Sequence, residues 1–458
     1  MIHDDLHLAN TLRGLLAQAP ALTAAQLGKA SGKSQSSISK ALINLGDEVL
    51  KLGAARSTRY ALTQDILGLA ASQALHETDE AGNTRAGGTL TFLQSNRVHV
   101  RGEALFESLS DGRFPWFLAP LQPQGFLGRE LARLRPDFPT EPDDWSLAQV
   151  LYMAANHQTD PPGAFELGRV MGEMIPEAPH DIAARLVHYD ALTASINSRL
   201  PAGSSAGGEQ PKFTSTVLTD GHPLHAKHCI VKFTPPRGTP FGERWHDLLQ
   251  LEHLAGEVLR QHGIAAAQTQ LLHSAQRSYL ESSRFDRIGL VGKRHVVAAS
   301  AIHDEFVKAP RQHWVATCAA LVAGHLLPEE DLNAVVLTYL FGQYIGNTDM
   351  HFGNLSFFTG DIGGHLKGGK QQAPFRVTPV YDMLPMMWRP HIHSGLLDLD
   401  PVRPQLQPAG YGKQALVARD MAINYWQQAA ALANLSPAMR TACLKNGGRL
   451  QSDFADGD

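Results

Sequence analysis

A polar cluster that interrupts a long helical stretch limits the possible folds more than any other feature of this sequence. It reads Gly346-Asn347-Thr348-Asp349-Met350-His351-Phe352-Gly353-Asn354, and from residue 316 onward the surrounding pattern is mostly helical. Asp349 is followed five residues later by Asn354, and Asp382 comes about 28 residues after that, behind a β-prone run. An Asp and an Asn at this spacing are typical of a loop in which the Asp accepts a hydroxyl proton and the Asn holds magnesium.

Three features upstream of this loop fit the same chemistry. Residues 204–213 form a loop of small residues, whose backbone N–H groups can approach phosphate oxygens. Residues 229–233 predict a strand with Lys232 near its end, and a following helix carries Glu252, which could orient a lysine. Each feature alone is equally consistent with a surface turn, a solvent-facing lysine or an exposed helix carboxylate. Their order, with two acidic sites behind them, favours phosphoryl transfer.

The first 65 residues predict a winged helix-turn-helix. A helix over 7–17 is followed by a short helix capped by Thr23 with Gln26 three residues on, a turn at 30–33, and a helix over 34–45 that Gly46 ends. Residues 49–52 and 59–62 alternate like two short strands. Between residues 20 and 60 there are six Lys or Arg against two acids, a local charge of +4. We predict DNA contacts early in the third helix and on the wing, at Ser34, Gln35, Ser36, Ser37, Lys40, Arg56 and Arg59. The alternative is a helical interaction domain that does not bind DNA.

Charge and composition restrict the remaining classes. The net charge of −4 over 458 residues argues against a general polyanion binder, so a DNA-binding surface must be local. Cys229, Cys318 and Cys443 have no paired metal spacing and read as thiols in a reducing cytosol. The 22 histidines are scattered, which does not favour a zinc site. The sequence begins with no signal-peptide pattern and holds no run of apolar residues that could cross a membrane, so we expect a cytoplasmic protein without membrane contact.

These motifs resemble the HipA kinases of bacterial toxin–antitoxin systems, whose C-terminal half is a distant relative of eukaryotic protein kinases. The resemblance runs from about residue 88 to about residue 435. It is strongest in 205–212, 230–232, 283–287, 347–354 and 381–385, of which the last two are specific to the family. Because HipA toxins usually pair with a separate helix-turn-helix antitoxin, the fused domain here is similar to a single-chain branch of the family, the YjjJ-like proteins. The fusion leaves open whether a separate antitoxin is needed.

The resemblance implies a fold and a set of site residues. The fold is α+β: a winged helix-turn-helix (1–65), a linker (66–88), then a two-lobed kinase fold made of a HipA N-terminal subdomain (89–200), an ATP-binding lobe (201–315) and a largely helical catalytic lobe (316–450). The catalytic aspartate matches Asp349, and the magnesium ligands match Asn354 and Asp382. Contacts to ATP match Gly207, Gly208, Gln210, Lys212, Lys232, His351 and the hinge backbone around Ser283 and Phe285. Ser205, with Ser204 as its neighbour, takes the place of the serine whose autophosphorylation ejects the loop in this family.

Two main functions follow. The first is an ATP- and Mg²⁺-dependent serine/threonine protein kinase that inhibits growth, with a target that by analogy would be a translation factor such as an aminoacyl-tRNA synthetase. The alternative is a transcriptional regulator whose kinase fold only senses nucleotide. Intact Asp349, Asn354, Asp382 and Lys232 favour the enzyme. A DNA-acting enzyme is weaker, because the clustered carboxylates of a two-metal nuclease are missing. If the protein dimerises, two recognition helices would read an inverted repeat.

Overall fold

The computed structural model describes residues 2–54, 57–102, 107–157, 160–170, 177–199, 210–218, 225–360, 373–391, 395–404 and 410–452. Its first unit consists of α1 (Ile2–Gln18), α2 (Ala24–Ser31), α3 (Gln35–Leu45) and the antiparallel hairpin of β1 (Val49–Leu52) and β2 (Arg59–Leu62). The order of elements predicted from the sequence is confirmed. The Thr23 side chain accepts from the Gln26 N–H while the Gln26 side chain returns to the Thr23 N–H, which is the predicted capping box, and Gly46 follows α3.

The second unit is a five-stranded antiparallel sheet with helices packed on it. Its strands are β3 (Ser72–Thr78), β4 (Thr84–Leu93), β5 (Arg97–Arg101), β6 (Ser108–Asp111) and β7 (Phe165–Leu167), in the order β6-β5-β4-β3-β7. Between β6 and β7 lie α4 (Gly125–Ala132) and α5 (Leu147–Asn156). We refer to this unit as the middle domain.

The first unit is joined to the middle domain by backbone pairing. The Gln64 N–H donates to the Phe92 carbonyl at 2.9 Å, and the Gln94 N–H donates to the Leu62 carbonyl at 3.0 Å. Leu93 is buried between the two units in a small apolar cluster with Leu52 and Ala61. The end of the wing hairpin is therefore bridged to β4, while the hairpin and the middle-domain sheet remain separate sheets.

The predicted linker over residues 66–88 is wrong. These residues include all of β3 and the first half of β4. The two strands pair along their length, from Ser72 opposite Thr91 to Thr78 opposite Thr84. The polar stretch that suggested a linker is one exposed face of the sheet together with its turn, where Asp79 accepts from the N–H groups of Ala81 and Asn83. Because Leu75 and Thr78 are the strand's buried residues, β3 lacks the apolar alternation by which a strand is recognised.

A second five-stranded sheet follows, in the order β11-β12-β10-β9-β8. Its strands are β8 (Glu177–Ala178), β9 (Lys212–Leu218), β10 (Ala226–Phe233), β11 (Thr269–His273) and β12 (Ser278–Ser283), and it is flanked by α6 (Ile182–Arg199) and α7 (Pro240–Gln261). The short hairpin of β13 (Arg287–Ile288) and β14 (Gly292–Lys293) comes next. The sheet places β10 at its centre, with paired strands on both sides.

The last part of the chain is mainly helical, as predicted. It contains α8 (Ala299–Phe306), α9 (Trp314–Ala323), α10 (Glu329–Ile345), α11 (Gly412–Ala431) and α12 (Pro437–Ser452), together with a three-stranded sheet of β15 (Val296–Ala298), β16 (Ser356–Thr359) and β17 (Phe375–Val377). One apolar core runs from the middle domain through α7 to these helices. This continuous core holds the two lobes in a fixed relation around the polar loop after α10.

No helix among the described residues combines the length and the apolar character needed to cross a bilayer.

Candidate active site

A lysine and two carboxylates form the centre of the site, and we call these three residues the lysine cluster. Lys232 lies near the end of β10 and is 4% exposed, and Glu252 from the middle of α7 is 6% exposed. The Lys232 Nζ is 2.5 Å from Glu252 Oε1 and 2.7 Å from Asp382 Oδ1. Desolvation opposes the charge of the ammonium, but Asp382 and Glu252 outweigh it and raise the pKa of Lys232. The lysine is thus held as a cation between two acids.

A second lysine acts on the same carboxylates. Lys212 lies directly opposite Lys232 in the register of β9 and β10, so both side chains emerge on one face of the sheet. Burial disfavours the ionised form of Asp382, but Lys232 and Lys212 together lower the pKa of its carboxyl to about 2. For Glu252 burial is the largest effect and raises the pKa, against the pull of Lys232. Asp382 is therefore the member that stays anionic over the whole working pH range.

The backbone at Asp382 is unusual and is held by a neighbouring loop. Its φ of 54° lies in the left-handed region, which a non-glycine residue adopts at a cost of roughly 1 kcal/mol or more. The buried Asn347 side chain donates to the Asp382 carbonyl at 3.3 Å and accepts from the Asp349 N–H at 3.0 Å. One side chain therefore ties Asp382 to the loop that carries Asp349.

The loop after α10 is fixed by its own hydrogen bonds. α10 ends at Gly346, whose φ of 75° gives the left-handed turn that stops the helix. The Asn354 Nδ2 donates to the Asp349 carbonyl at 2.8 Å, and the His351 N–H donates to the same carbonyl at 2.9 Å. Trp314 donates through Nε1 to the His351 carbonyl at 3.0 Å. Asp349 and Asn354, five residues apart in sequence, thus belong to one rigid turn.

The oxygen atoms that remain available fit a magnesium ion. Lys232 contacts Oδ1 of Asp382, which leaves Oδ2, and the Asn354 amide nitrogen is engaged, which leaves its oxygen. Hard cations such as Mg²⁺ prefer oxygen ligands and are usually bound by one or two protein groups together with phosphate oxygens. Among the described residues, no three His, Cys, Asp or Glu side chains lie close enough to hold a metal by themselves. The donor set therefore suits a cation that arrives with a nucleotide.

The end of β12 lies against the Asp382 segment. The Phe285 ring is 5.6 Å from the Tyr381 ring and 5.8 Å from the Phe358 ring, measured between centroids. The Tyr381 hydroxyl donates to the Gly353 carbonyl at 2.7 Å. The Ser283 N–H already donates to the Gln268 carbonyl at 2.8 Å, so an adenine ring at this place would meet the other backbone groups around Phe285. The predicted hinge and the predicted metal ligand are thus brought together.

A cleft of about 610 Å³ is lined by Asp349. Its walls are mostly polar and include the half-buried Asp349 and the exposed Asp400 and Arg403. The backbone of this wall is pinned, because the Trp388 Nε1 donates to the Asp400 carbonyl at 3.0 Å and the buried Asn446 accepts from the Val402 N–H at 2.8 Å. Lys232 and Asp382 do not line this cleft, whereas Asn347, which donates to the Asp382 carbonyl, does.

Part of the predicted phosphate loop is described. Ser204, Ser205, Gly207 and Gly208 lie outside the described residues. Gln210, at its end, has a buried Nε2 without a hydrogen-bond partner among the described residues.

The described residues among the predicted DNA contacts lie at the N-cap of α3, within the first six residues of α3 and at the start of β2. Ser34 is the N-cap of α3 and accepts from the Ser37 N–H at 3.3 Å. The exposed residues are Ser34, Gln35, Ser36, Lys40 and Arg59, Ser37 is half-buried, and Arg56 lies outside the described residues. The opposite face of α3 is apolar and buried. The surface is therefore accessible, and the Ser34 hydroxyl has a structural role as a cap.

Sequence reasoning assigned no site role to Asn347 and left Glu252 out of the predicted site. Asn347 stood in the polar cluster, but its bridging role depends on Asp382, 35 positions later. Glu252 was recognised as able to orient a lysine, and its place 20 residues after Lys232 on the next helix was the available signal.

Comparisons with known proteins agree on one family. Residues 204–441 match the family model described as HipA-like C-terminal domain, and residues 69–174 match that described as YjjJ-like toxin, middle domain. The chain is 33% identical over 441 residues to a protein named Toxin YjjJ from Escherichia coli (strain K12), with 94% of each chain covered. The middle-domain match begins at residue 69, ahead of β3 and well before the boundary predicted at 89.

A solved structure gives the same answer for the fold. It contains HipA of Shewanella oneidensis MR-1 in a toxin–antitoxin complex with HipB and operator DNA. Its TM-score to this chain is 0.54 at 16% identity, covering 82% of this chain and 95% of that chain.

Proposed function

Since this chain belongs to the HipA-like toxin family, we propose that it is an ATP- and Mg²⁺-dependent serine/threonine protein kinase that inhibits growth and carries its own DNA-binding domain. The resemblance found in the sequence is confirmed by the family models and by the 33% identical relative. The activity is our inference from the site.

The lysine cluster is the observation that carries this proposal. A lysine held by a helix glutamate and by the aspartate of a second lobe is the arrangement that kinases use to place the phosphates and the metal. Lys232 has Glu252 at 2.5 Å and Asp382 at 2.7 Å, and Asn347 connects Asp382 to the loop of Asp349. A purely structural ion pair has no need of this connection.

The proposed reaction moves one phosphoryl group. Bound MgATP supplies the phosphoryl group and the cation that neutralises it. Asp382 and Asn354 would hold the cation, Lys232 and Lys212 would contact the phosphates, and Asp349 would take the proton of the acceptor hydroxyl. The bond between the γ-phosphorus and the bridging oxygen to the β-phosphate breaks as the acceptor oxygen bonds to the phosphorus, so ADP leaves with the electron pair.

Binding of the nucleotide would use groups on both lobes. Gln210 has a buried amide without a described partner, so a phosphate or its hydration shell would satisfy it. The backbone around Ser283 and Phe285 would meet the adenine. His351 is exposed and would lie near the phosphates. It also lowers the pKa of Asp382, although by less than the two lysines do.

The cleft beyond Asp349 would receive the acceptor protein. It is large enough for an extended segment, and its wall is rigid at Asp400 and Val402. The segment would present a serine or threonine hydroxyl to Asp349. By analogy the target would be a translation factor.

Autophosphorylation is expected to switch the enzyme off. A phosphate on Ser205, or on its neighbour Ser204, would add about 1.5–2 negative charges at neutral pH inside a loop that holds ATP phosphates. Repulsion would then expel the loop. Mass spectrometry after incubation with ATP should find phosphate on one of these serines, and an Asp at position 205 should weaken ATP binding.

The N-terminal unit is proposed to bind DNA. The exposed first turn of α3 and the exposed Arg59 offer short polar side chains and positive charge. A homodimer would present two such helices to an inverted repeat. The HipA of the Shewanella structure occurs with HipB and operator DNA, and the fused DNA-binding unit makes regulation within one chain plausible here.

The alternative is a regulator whose kinase fold only senses nucleotide. The wing pairs directly with the middle-domain sheet, which would let nucleotide binding influence DNA binding. A sensor has no need of a proton acceptor, however, and Asp349 lines an open cleft.

One experiment separates the two functions. Purified full-length protein is incubated with γ-labelled ATP, Mg²⁺ and a cell lysate, beside the Asp349→Asn variant. A labelled foreign band that the variant fails to produce supports the kinase. Nucleotide binding without any transfer, to itself or to another protein, supports the sensor.

A further inference from the structure

Four charged residues form a closed buried network just beyond β12, and we call it the clamp. Arg284 and Arg287 face Asp160 and Asp286, and the four side chains are between 1% and 11% exposed. Arg284 pairs with Asp160 through Nη1 and with Asp286 Oδ2 at 2.7 Å through Nη2. Arg287 pairs with Asp160 Oδ1 at 2.7 Å and with Asp286 Oδ2 at 2.8 Å. Each guanidinium thus contacts both carboxylates.

The clamp crosses from the middle domain to the ATP-binding lobe. Asp160 precedes β7, and the nearby Gly163 N–H donates to Asp286 Oδ2 at 2.9 Å. In return, Arg287 donates to the carbonyls of Gly163 and Pro161 at 3.1 Å and 2.6 Å. The approach is close: a Cβ at Gly163 would lie 2.7 Å from the His295 Nδ1. The contact therefore fixes backbone as well as side chains on both sides.

Stability alone does not account for such a network. Burying ion pairs costs desolvation, and replacing them by apolar side chains is often neutral or stabilising. What planar guanidinium groups add is geometry, because each fork fixes the direction of two partners. Burial disfavours a charged Asp286, but Arg284 and Arg287 outweigh it and hold the pKa of that carboxyl well below its usual range. The network stays charged, and its geometry stays fixed, across the working pH range.

The geometry that the clamp fixes is that of the nucleotide site. Phe285 lies between two clamp residues, and its ring contacts Tyr381, the neighbour of Asp382. The Arg284 N–H also donates to the His228 carbonyl at 2.8 Å, which continues the pairing of β12 with β10. A change in the clamp would therefore move the backbone that we assign to adenine.

We propose that Asp160 is a positioning residue for ATP, through which the middle domain completes the nucleotide site. This inference rests on the proposed kinase function. Asp160 touches no reacting group in this arrangement. Its removal would leave Arg284 and Arg287 with one carboxylate between them, so the segment around Phe285 would lose its fixed direction.

The test compares two buried ion pairs that join the same two units. Asp160→Asn removes the clamp charge with little change in shape. Glu166→Gln is the matched control, because Glu166 of β7 pairs with Lys293 of β14 at 3.3 Å and is also buried, and this ion pair includes none of the four clamp residues. Binding of a fluorescent ATP analogue with Mg²⁺ is measured first, and KM for ATP, KM for the acceptor and kcat follow.

We expect Asp160→Asn to weaken binding of the analogue and to raise KM for ATP by about tenfold, with kcat and KM for the acceptor changed less than about twofold. Glu166→Gln should leave ATP binding at the wild-type value. Equal affinity in Asp160→Asn and wild type overturns the inference, and so does an equal loss in Glu166→Gln, which would indicate general loosening.

A variant that fails to fold does not end the test. Arg284→Lys keeps the charge and loses the fork, and the same rise in KM for ATP is expected from it. Wild-type protein that binds no ATP analogue would overturn the proposed function together with this inference. Wild-type protein that binds the analogue while both clamp variants bind it equally well would overturn the inference alone.

Discussion

The lysine cluster and the clamp, both buried and ionic, differ in charge balance and in closure. The lysine cluster sets one ammonium against two carboxylates, and 30% of the Asp382 side chain is exposed. The clamp sets two guanidinium groups against two carboxylates, and none of its side chains is more than 11% exposed. The first cluster has carboxylate oxygens left for a further cation, and the second has none. A partly exposed carboxylate with an oxygen left over indicates where a ligand enters, whereas a closed network indicates where geometry is held.

The largest effect is expected next to the lysine cluster. Asp349→Asn is nearly isosteric, so the fold should persist, while the proton acceptor is lost. Phosphoryl transfer should fall by about 10²-fold or more, measured as labelled acceptor formed per minute. Thermal unfolding of the variant serves as the control. An unchanged rate would mean that the loop after α10 is not catalytic.

The next effect is a pH dependence of the free energy of unfolding, which is expected from a residue beside the clamp. His295 lies beside the clamp, with Nε2 donating to the Phe117 carbonyl at 2.8 Å, and burial lowers its pKa to about 4. A histidine whose pKa in the folded protein lies below the ordinary value contributes stability that is present at neutral pH. That stability is lost as the pH falls from about 6.5 toward 4, because the unfolded chain binds the proton more readily.

Protonation of this residue in the unfolded chain should therefore lower the free energy of unfolding by about 2 kcal/mol between pH 7 and pH 5. Denaturant titrations at both pH values should show a smaller loss in His295→Gln than in wild type. The exposed His325 gives the control, since His325→Gln should keep the full loss. Asp382 and Lys232 should not contribute, because the pKa of Asp382 is lowered to about 2 and that of Lys232 is raised. Equal losses in all three proteins would contradict this account.

A third effect tests the open side of the lysine cluster. In Asp382→Asn the new asparagine also tolerates the left-handed backbone, but the negative charge of the cation site is lost. The Mg²⁺ concentration for half-maximal activity should rise about tenfold or more. The fold should persist, because Lys232 still pairs with Glu252. Asn354→Ala should shift the same requirement in the same direction. Unchanged magnesium dependence in both variants would exclude these two residues as ligands.

The smallest effect concerns a surface that belongs to neither cluster. Gln35→Ala should relax DNA specificity at one base pair at a cost of about 1–3 kcal/mol for that pair, because an early amide can contact adenine bidentately. Arg59→Ala should weaken all sequences alike and lower the salt dependence. Gel shifts with full-length protein measure both, and kinase activity should not change. Absence of any sequence preference at about 100 mM salt would leave the N-terminal unit as an interaction module.

Local signals in the sequence account for the parts that were predicted well. The capping box at Thr23 and the stop at Gly46 depend on residues within one turn of each other, and both are confirmed. The strand of Lys232 was predicted from its alternation and is confirmed as part of β10. The placement of Asp349 and Asn354 in one turn follows from their spacing, while their chemical roles remain predictions.

Features that depend on distant partners could not be predicted in this way. Asp160 and Arg284 lie 124 residues apart, and each reads as an ordinary surface charge in its own segment. The linker prediction missed β3 because this strand has few apolar residues. It is a strand because it pairs with its neighbours in the sheet. In both cases the decisive interaction is non-local, so no window of sequence contains it.

The pairing between the wing and the middle-domain sheet determines how the N-terminal unit can be separated from the rest. Removing residues 1–65 would leave the Gln94 N–H and the Phe92 carbonyl without their partners and would expose Leu93. β4 would keep β3 and β5 as its neighbours in the sheet, so the loss would be confined to the last residues of the strand. Transplanting the N-terminal unit to another kinase would therefore require transplanting the end of β4, at Phe92 to Gln94, as well.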